Sequence, residues 1–255
     1  MKTSWAPGPE VRRVGFAGGA LLHDASRAAE VGPQWLDPAW WQARGEVDGI
    51  AHGVKGPAHF LRTASGGRYV LRHYRRGGLL ARLSPDRYVF RSEDGTRPFR
   101  EWRLTYAMHR AGLPVPAPIA AGYRREDSTY TGDLITERLA TVGSLADCLR
   151  TGALSVLAWI AIGRCIRRFH DFGVCHADLN ARNILLSEEQ VYLVDFDRCQ
   201  LRAPGLWQDG NLVRLRRSLE KITYSLPEDR FSEADWHGLL DGYRQPTGRD
   251  ARQAA

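Results

Sequence analysis

The clearest alternation of apolar and polar positions lies between residues 57 and 74. Pro57-Ala-His-Phe-Leu-Arg-Thr63 and Arg68-Tyr-Val-Leu-Arg-His-Tyr74 each read as a strand, and Ser65-Gly66-Gly67 between them is a hairpin signal. Gly53-Val54-Lys55-Gly56 precedes the pair as a short glycine loop, and the first fifty residues read as irregular, rich in Pro and Gly with a cluster of Trp35, Trp40 and Trp41. Residues 77–98 are mixed and read as an insertion. A helical pattern covers 99–110, with Trp102, Ala107 and Met108 for burial and Gly112 as a stop. Leu113-Pro-Val-Pro-Ala-Pro118 cannot be helical and runs extended toward the next strand. A strand over 134–139 ends this β-rich half, and a polar turn follows.

The pattern then changes period. Ser155 stands as the N-cap of a long helix over 156–172, with Gly173 as its stop. Two short apolar strands are expected over 183–187 and 191–196. An amphipathic helix over 211–222 places Leu212, Leu215, Leu219 and Ile222 on one stripe. The tail after Gln245 is small and polar, hence loose. These elements predict an α+β chain of two lobes: a β-rich lobe over 1–139 and a mainly helical lobe over 140–255.

Composition fits a globular chain. Its 255 residues are 43% hydrophobic, which excludes disordered and fibrous classes. The longest apolar run, 156–162, is far short of the roughly 20 residues a membrane-spanning helix needs, and the opening residues hold no apolar signal-peptide core. Cys148, Cys165, Cys175 and Cys199 form neither CxxC pairs nor zinc spacings, so reduced thiols in a cytoplasm are expected. Net charge is +7, and of 36 basic residues only Lys2, Lys55 and Lys221 are lysines, leaving 33 arginines. A coding bias explains most of them. The others suit planar or multidentate anions, which a guanidinium fork matches better than an ammonium. Nucleic acid is not the expected anion, because no RNP-like, zinc-finger or helix-turn-helix signature is present.

The chemistry concentrates in His176-Ala-Asp-Leu-Asn-Ala-Arg-Asn183, followed twelve residues later by Asp195 at the end of an apolar strand. Phosphoryl transfer needs a carboxylate to orient the acceptor hydroxyl and oxygen ligands for a magnesium ion bridging the phosphates. Asp178 fits the first role, with Asn183 and Asp195 as metal ligands and His176 as the residue that orients the loop. The triplet Asp195-Phe196-Asp197 carries Asp where protein kinases carry Gly; Asp197 adds a ligand or ends the strand. Ala177 replaces the arginine of activation-loop-regulated kinases, and no Ala-Pro-Glu follows, which points to small-molecule kinases of the same fold. In the first lobe, Gly53 and Gly56 either admit a triphosphate or make an ordinary turn. Arg72 takes the place of the phosphate-pairing lysine, with Glu101 as its partner; His73 and Lys55 compete for that contact.

Arg72-His-Tyr-Arg-Arg-Gly-Gly78, Glu101-Trp102, the 176–183 segment, Asp195-Phe-Asp-Arg-Cys199 and Asn211-Leu-Val-Arg-Leu-Arg-Arg-Ser-Leu-Glu-Lys221 together resemble the lipopolysaccharide-core sugar kinases, the family of the 3-deoxy-D-manno-octulosonic acid (Kdo) and heptose kinases. The resemblance spans about residues 49–221. It implies a protein-kinase-like fold, ATP and Mg2+ as cofactors, and phosphorylation of a Kdo residue of Kdo-lipid A at its 4-hydroxyl. It also implies a peripheral protein on the cytoplasmic face of the bacterial inner membrane. Arg75, Arg76, Arg214, Arg216 and Arg217 are candidates for the anionic groups of such an acceptor or of an anionic membrane surface; each is otherwise a solvated charge. The tryptophan cluster is a candidate membrane contact or part of the core. A heptose or other core-sugar kinase, and a non-catalytic pseudokinase suggested by Arg72, remain as alternatives.

Overall fold

The computed structural model describes residues 8–53, 56–76 and 85–246. Lys55, Gly77 and Gly78 lie outside the described residues, as do 77–84 of the expected insertion and the tail from residue 247. The chain falls into two compact units, the first reaching to His109 with Pro116–Leu139 added, the second made of Arg110–Val115 and the chain from Ala140 onward.

The first unit contains the strands β1 (Val11–Phe16) and β2 (Gly19–Asp24), the short helix α1 (Pro38–Ala43), then β3 (Val47–Gly53), β4 (Gly56–Arg62), β5 (Arg68–His73) and the two-residue β6 (Tyr88–Val89). Helix α2 (Arg97–Arg110), β7 (Pro118–Glu126) and β8 (Thr129–Glu137) complete it. The strands form one antiparallel sheet in the order β1-β2-β7-β8-β5-β4-β3, with β6 beside β8. The β4–β5 hairpin closes in register, Arg62 opposite Arg68, as the Gly66-Gly67 turn predicts.

Period-2 alternation sends neighbouring side chains to opposite faces of this sheet. Leu21, Leu71 and Ile135 enter one apolar cluster with Trp35, Leu36 and Trp41. Ala20, Leu22, Leu134 and Tyr74 enter the other, under Phe99, Trp102 and Tyr106 of α2. Both faces are covered.

The N-terminal region corrects an expectation. Residues 8–53 are ordered into a hairpin, a short 3-10 turn (Pro33–Leu36), α1 and β3. The hairpin turn uses Gly18 at φ +74, a left-handed conformation that costs glycine little. Of the tryptophan cluster, Trp35 and Trp41 are core residues packed edge to face at 4.9 Å, and the Trp41 indole N–H donates to the Trp35 carbonyl.

The second unit holds β9 (Gly143–Ser144), α3 (Leu145–Thr151), α4 (Val156–Asp171), β10 (Val174–Cys175), β11 (Ile184–Leu186), β12 (Val191–Leu193), β13 (Gln200–Leu201), α5 (Trp207–Thr223) and α6 (Glu233–Arg244). Ser155 caps α4 as predicted, and Gly173, φ +90, follows its end. Two expectations change, and a further helix is added. The polar turn after Leu139 contains a Ser144–Asp147 capping box that starts α3. Helix α5 begins four residues before Asn211. A second capping box, Ser232–Asp235, starts α6. Helices α4 and α6 approach so closely that a Cβ on Gly163 would lie 1.9 Å from the Leu239 carbonyl oxygen, and one on Gly242 2.1 Å from that of Ile160.

Candidate active site

In the second unit, β10 hands the chain to His176 and β11 receives it after Asn183. The loop between them is short, irregular and extensively pinned. The Asp178 backbone N–H donates to His176 Nδ1 at 3.2 Å, so that nitrogen is the acceptor and Nε2 carries the proton it donates to the Val194 carbonyl, 3.1 Å away. His176 is buried and neutral in this arrangement, and its ring lies 5.3 Å from that of Phe196. It orients the loop, as expected from its place in the motif.

Asp178 is half-buried, and among the described residues its carboxylate has no hydrogen-bond or ion-pair partner. Its carbonyl, by contrast, accepts from the side-chain amides of both Asn180 (3.1 Å) and Asn183 (2.8 Å). The Asn183 amide is thereby oriented with Nδ2 committed, which leaves Oδ1 as its acceptor. The Val194 N–H donates to the Asn183 carbonyl at 3.0 Å and ties the loop to the segment that carries Asp195. Asp195 has φ +66, a left-handed conformation in a non-glycine residue, and such outliers cluster at functional sites. Phe196 anchors the segment by stacking on Phe169 at 5.8 Å, and Asp197 is buried beside it.

The donor set suits magnesium held partly by a nucleotide. Among the described residues no three His, Cys, Asp or Glu side chains converge into a ready-made metal cage. Magnesium in phosphoryl-transfer sites takes one or two protein ligands and fills its shell with water and phosphate oxygens, so an oriented asparagine oxygen and a carboxylate in a neighbouring segment fit it.

In the first unit, Arg72 on β5 and Glu101 on α2 meet as predicted. Arg72 Nη2 donates to Glu101 Oε1 at 2.6 Å, and the Glu101 side chain is 3% exposed. A third member was not anticipated: the Tyr74 hydroxyl donates to Glu101 Oε2 at 2.5 Å, and the Arg72 guanidinium lies 5.2 Å from the Tyr74 ring. Burial, with Glu101 beside it, pushes the Tyr74 phenol well above its ordinary value. His73, a competitor for the phosphate contact, is committed elsewhere. Its Nδ1 bonds to Asp133 at 2.7 Å and its Nε2 to Asp86 at 3.2 Å.

Gly53 and Gly56 face each other across the β3–β4 connection. Gly56 has φ +101, a left-handed backbone that favours glycine, and the flexible Arg75 side chain crosses over it. Arg75 itself is exposed and forms no ion pair among the described residues. Arg76 is held on its own unit: its Nε donates to the Arg87 carbonyl at 2.8 Å and its guanidinium lies 5.0 Å from the Tyr88 ring.

The arginines of α5 divide the same way. Arg216 pairs with Glu220 and Glu233 and packs over Trp236. Arg214 and Arg217 are exposed with no ion pair among the described residues, and Arg217 borders a surface groove of about 380 Å³ with Leu212, Val213 and Trp236. His170 is a packing histidine, bonded to Tyr243 and Asn211, and its burial pushes its pKa down to about 4. The sequence reading gave no role to Asn211 and Ser218, which bond to the loop from α5. The signals for Asn211 were an amide at the edge of an apolar stripe and its place at the head of the arginine-rich segment that carries the resemblance.

Comparison with known proteins identifies the fold and the family. Against solved structures, the chain matches the Rio2 kinase–ADP/Mg2+–phosphoaspartate complex from Chaetomium thermophilum with a TM-score of 0.50 and 16% identity, over 93% of this chain and 73% of that one. That likeness shows the α+β, protein-kinase-like fold. The chain is 41% identical to the 3-deoxy-D-manno-octulosonic acid kinase of Actinobacillus succinogenes (83% of this chain, 90% of the relative). It is 46% identical to the enzyme of that name from Xylella fastidiosa (82% and 83%) and 39% identical to that from Haemophilus influenzae (88% and 96%). The model of the lipopolysaccharide kinase (Kdo/WaaP) family matches residues 38–243. With most of its length and its loop motif accounted for in this way, the chain belongs to the lipopolysaccharide kinase (Kdo/WaaP) family.

Proposed function

We propose that this chain transfers the γ-phosphoryl group of ATP to the 4-hydroxyl of a Kdo residue in Kdo-lipid A. The observation that carries the proposal is the Asp178 carboxylate, which has no partner among the described residues and sits on a loop whose backbone is fixed from both sides. A carboxylate with no internal partner is available to accept a hydrogen bond from a sugar hydroxyl. It orients the oxygen for in-line attack and takes its proton as the new P–O bond forms and the bond to ADP breaks.

Asn183 and Asp195 would hold Mg2+, which neutralises phosphate charge when bound. Arg72, kept extended by Glu101, would contact the ATP phosphates in place of lysine, and Gly53 and Gly56 would let the backbone approach them. In this reading residues 1–139 form the nucleotide-binding lobe and 140–255 the catalytic lobe.

Arg75, Arg214 and Arg217, charged and without ion pairs among the described residues, would meet the carboxylate and phosphates of the glycolipid. The outer stripe of α5 supports a peripheral position on an anionic membrane face. Leu206 at its start and Tyr224 at its end are 88% and 93% exposed, with Val213, Arg214, Arg217 and Lys221 between them. No helix among the described residues is long and apolar enough to cross a membrane.

Mass spectrometry of Kdo-terminated and heptose-terminated lipid acceptors, before and after incubation with the protein and Mg-ATP, tests the reading. One phosphate should be gained on the Kdo acceptor and none on the heptose acceptor. Asp178→Asn should lower turnover by roughly 10²–10⁴-fold. Gain on heptose alone would reassign the acceptor, and an active Asp178→Asn protein would remove Asp178 from the mechanism.

A further inference from the structure

The loop that carries Asp178 also carries an arginine that its surroundings do not neutralise. Leu179 and Ala181 are buried, whereas Asp178 and Asn180 are half-buried and Arg182 is exposed. Residues 178, 180 and 182 therefore face outward, and 179 and 181 inward. Both polar backbone groups of Ala181 are held: its N–H donates to Ser218 Oγ at 3.2 Å, and its carbonyl accepts the Ala146 N–H at 3.1 Å. The Arg182 N–H donates to Asn180 Oδ1 at 2.9 Å, and the Asn183 N–H to the Asn180 carbonyl at 3.0 Å. This turn keeps Arg182 on the outer side of the loop, four residues from Asp178. Its guanidinium has no hydrogen bond or ion pair among the described residues.

A second such charge stands on α5. Arg214 comes three residues after Asn211 and four before Ser218, so the three share one side of the helix. Asn211 bonds to the backbone of His176, ahead of Asp178, and Ser218 to that of Ala181, beyond it. Arg214 is thus on the side of α5 turned toward the loop, between two contacts that bracket Asp178. It is exposed and has no ion pair among the described residues. Arg216, two residues on, is engaged with Glu220 and Glu233 instead.

A carboxylate that orients a hydroxyl repels an acceptor that is itself an acid. In Kdo the acid is C1 and the acceptor oxygen is on C4, so the two lie within one sugar ring of each other. The hydroxyl cannot reach Asp178 without carrying a second negative charge toward it, and the repulsion grows as water is displaced. A guanidinium on the same loop offsets that repulsion and offers a carboxylate two parallel N–H donors. We propose that Arg182, with Arg214 beside the loop, binds the carboxylate of the acceptor sugar and so selects an acidic sugar over a neutral one. The proposal rests on the reading of the chain as a Kdo kinase.

The experiment measures kcat/KM on a Kdo-terminated lipid acceptor and on its C1 methyl ester, which keeps every hydroxyl and loses the charge. The parent should favour the acid by about 10- to 100-fold, the worth of hydrogen bonding to a charged group. Arg182→Ala should lose most of that preference, Arg214→Ala a smaller part, and Arg182→Lys, which keeps the charge without the fork, should fall between Arg182→Ala and the parent. Arg244→Ala on α6, an exposed arginine paired with Asp241, controls for net charge and should match the parent on both acceptors. KM for ATP should stay within about twofold in all four variants. Saturation-transfer NMR of free Kdo and its methyl ester, without ATP, should show the same preference in the parent and its loss in Arg182→Ala. A parent that takes acid and ester equally overturns the proposal, as does an Arg182→Ala protein that slows on both alike. A raised KM for ATP with the acid preference intact would assign Arg182 to the nucleotide and also overturn it. A parent that phosphorylates neither acceptor, yet binds free Kdo through Arg182, would instead refute the kinase reading and leave Arg182 as the carboxylate contact.

Discussion

Replacing Arg72 by methionine separates what that residue does for the fold from what it does for ATP. Methionine keeps much of the unbranched stem and deletes the guanidinium. Glu101, with only 3% of its side chain exposed, would then hold a buried negative charge without its arginine, while the Tyr74 hydroxyl still donates to it. Breaking a buried ion pair from one side typically costs 3–5 kcal/mol. Arg72 is 22% exposed, so water reaches the pair and the low end applies, about 3 kcal/mol. Glu101→Gln removes the charge but keeps an oxygen for one of the two donors, a loss of about 1–2 kcal/mol. In the double variant no charge is left buried, and its cost should be close to that of Glu101→Gln alone. The singles therefore sum to more than the double, with a coupling of about 2–3 kcal/mol. Urea unfolding followed by tryptophan fluorescence reads this directly, since Trp102 is buried on α2 next to Glu101. Turnover supplies the second half of the test. If Arg72 contacts phosphate, the double variant regains stability and stays inactive, whereas Arg72→Lys keeps both the charge and measurable activity. Additive single costs would refute the buried-charge reasoning, and an active double variant would refute the phosphate contact.

His170 should make the second unit sensitive to acid. Its folded-state pKa is depressed from 6.5 to about 4, so the stability it withholds is fully present above pH 6.5 and is lost as pH falls toward 4. That loss is about 3 kcal/mol for a shift of this size, and His170→Gln should flatten unfolding free energy over that interval; an unchanged slope would refute it. Gly163→Ala should destabilise by about 3 kcal/mol in a thermal melt, because its Cβ meets the Leu239 carbonyl rather than a side chain that can turn away. A neutral or stabilising result, as helix propensity alone predicts, would mean that α4 and α6 can separate at little cost. Arg214→Ala with Arg217→Ala should weaken binding to vesicles containing anionic phospholipid by about 30-fold, at about 1 kcal/mol per charge, and leave neutral vesicles unaffected. Equal loss on both kinds of vesicle would assign the effect to something other than charge.

What could be read from the chain and what could not follow from the range of the interactions involved. The β4–β5 hairpin, the α4 cap at Ser155 and the loop motif depend on residues within about ten positions of each other, and each was legible. The β1–β2 hairpin carries signals of the same local kind, a Gly18-Gly19 turn followed by Ala20-Leu21-Leu22. The surrounding Pro and Gly obscured it, and its buried face is explained only by pairing with β7, a hundred residues away. The arginines show the limit most plainly. Thirty-three look alike in sequence, yet Arg216 is spent on two glutamates, while Arg214, two residues away, has no such partner among the described residues. Anion binding needs a charge that the fold has not already neutralised, and neutralisation is a property of neighbours distant in sequence. Asn211 is the converse case. On the helical wheel it is a polar blemish beside Leu212 and Leu215, and an apolar residue there would lengthen the stripe. Its amide gains meaning only because β10 delivers both polar groups of His176 to it, and a buried loop must have them paired. Residues that do the chemistry leave a motif because their spacing along the chain is constrained. Those that hold the motif in place are constrained by spacing through the core, so their trace in the sequence is a polar residue where burial alone would favour none.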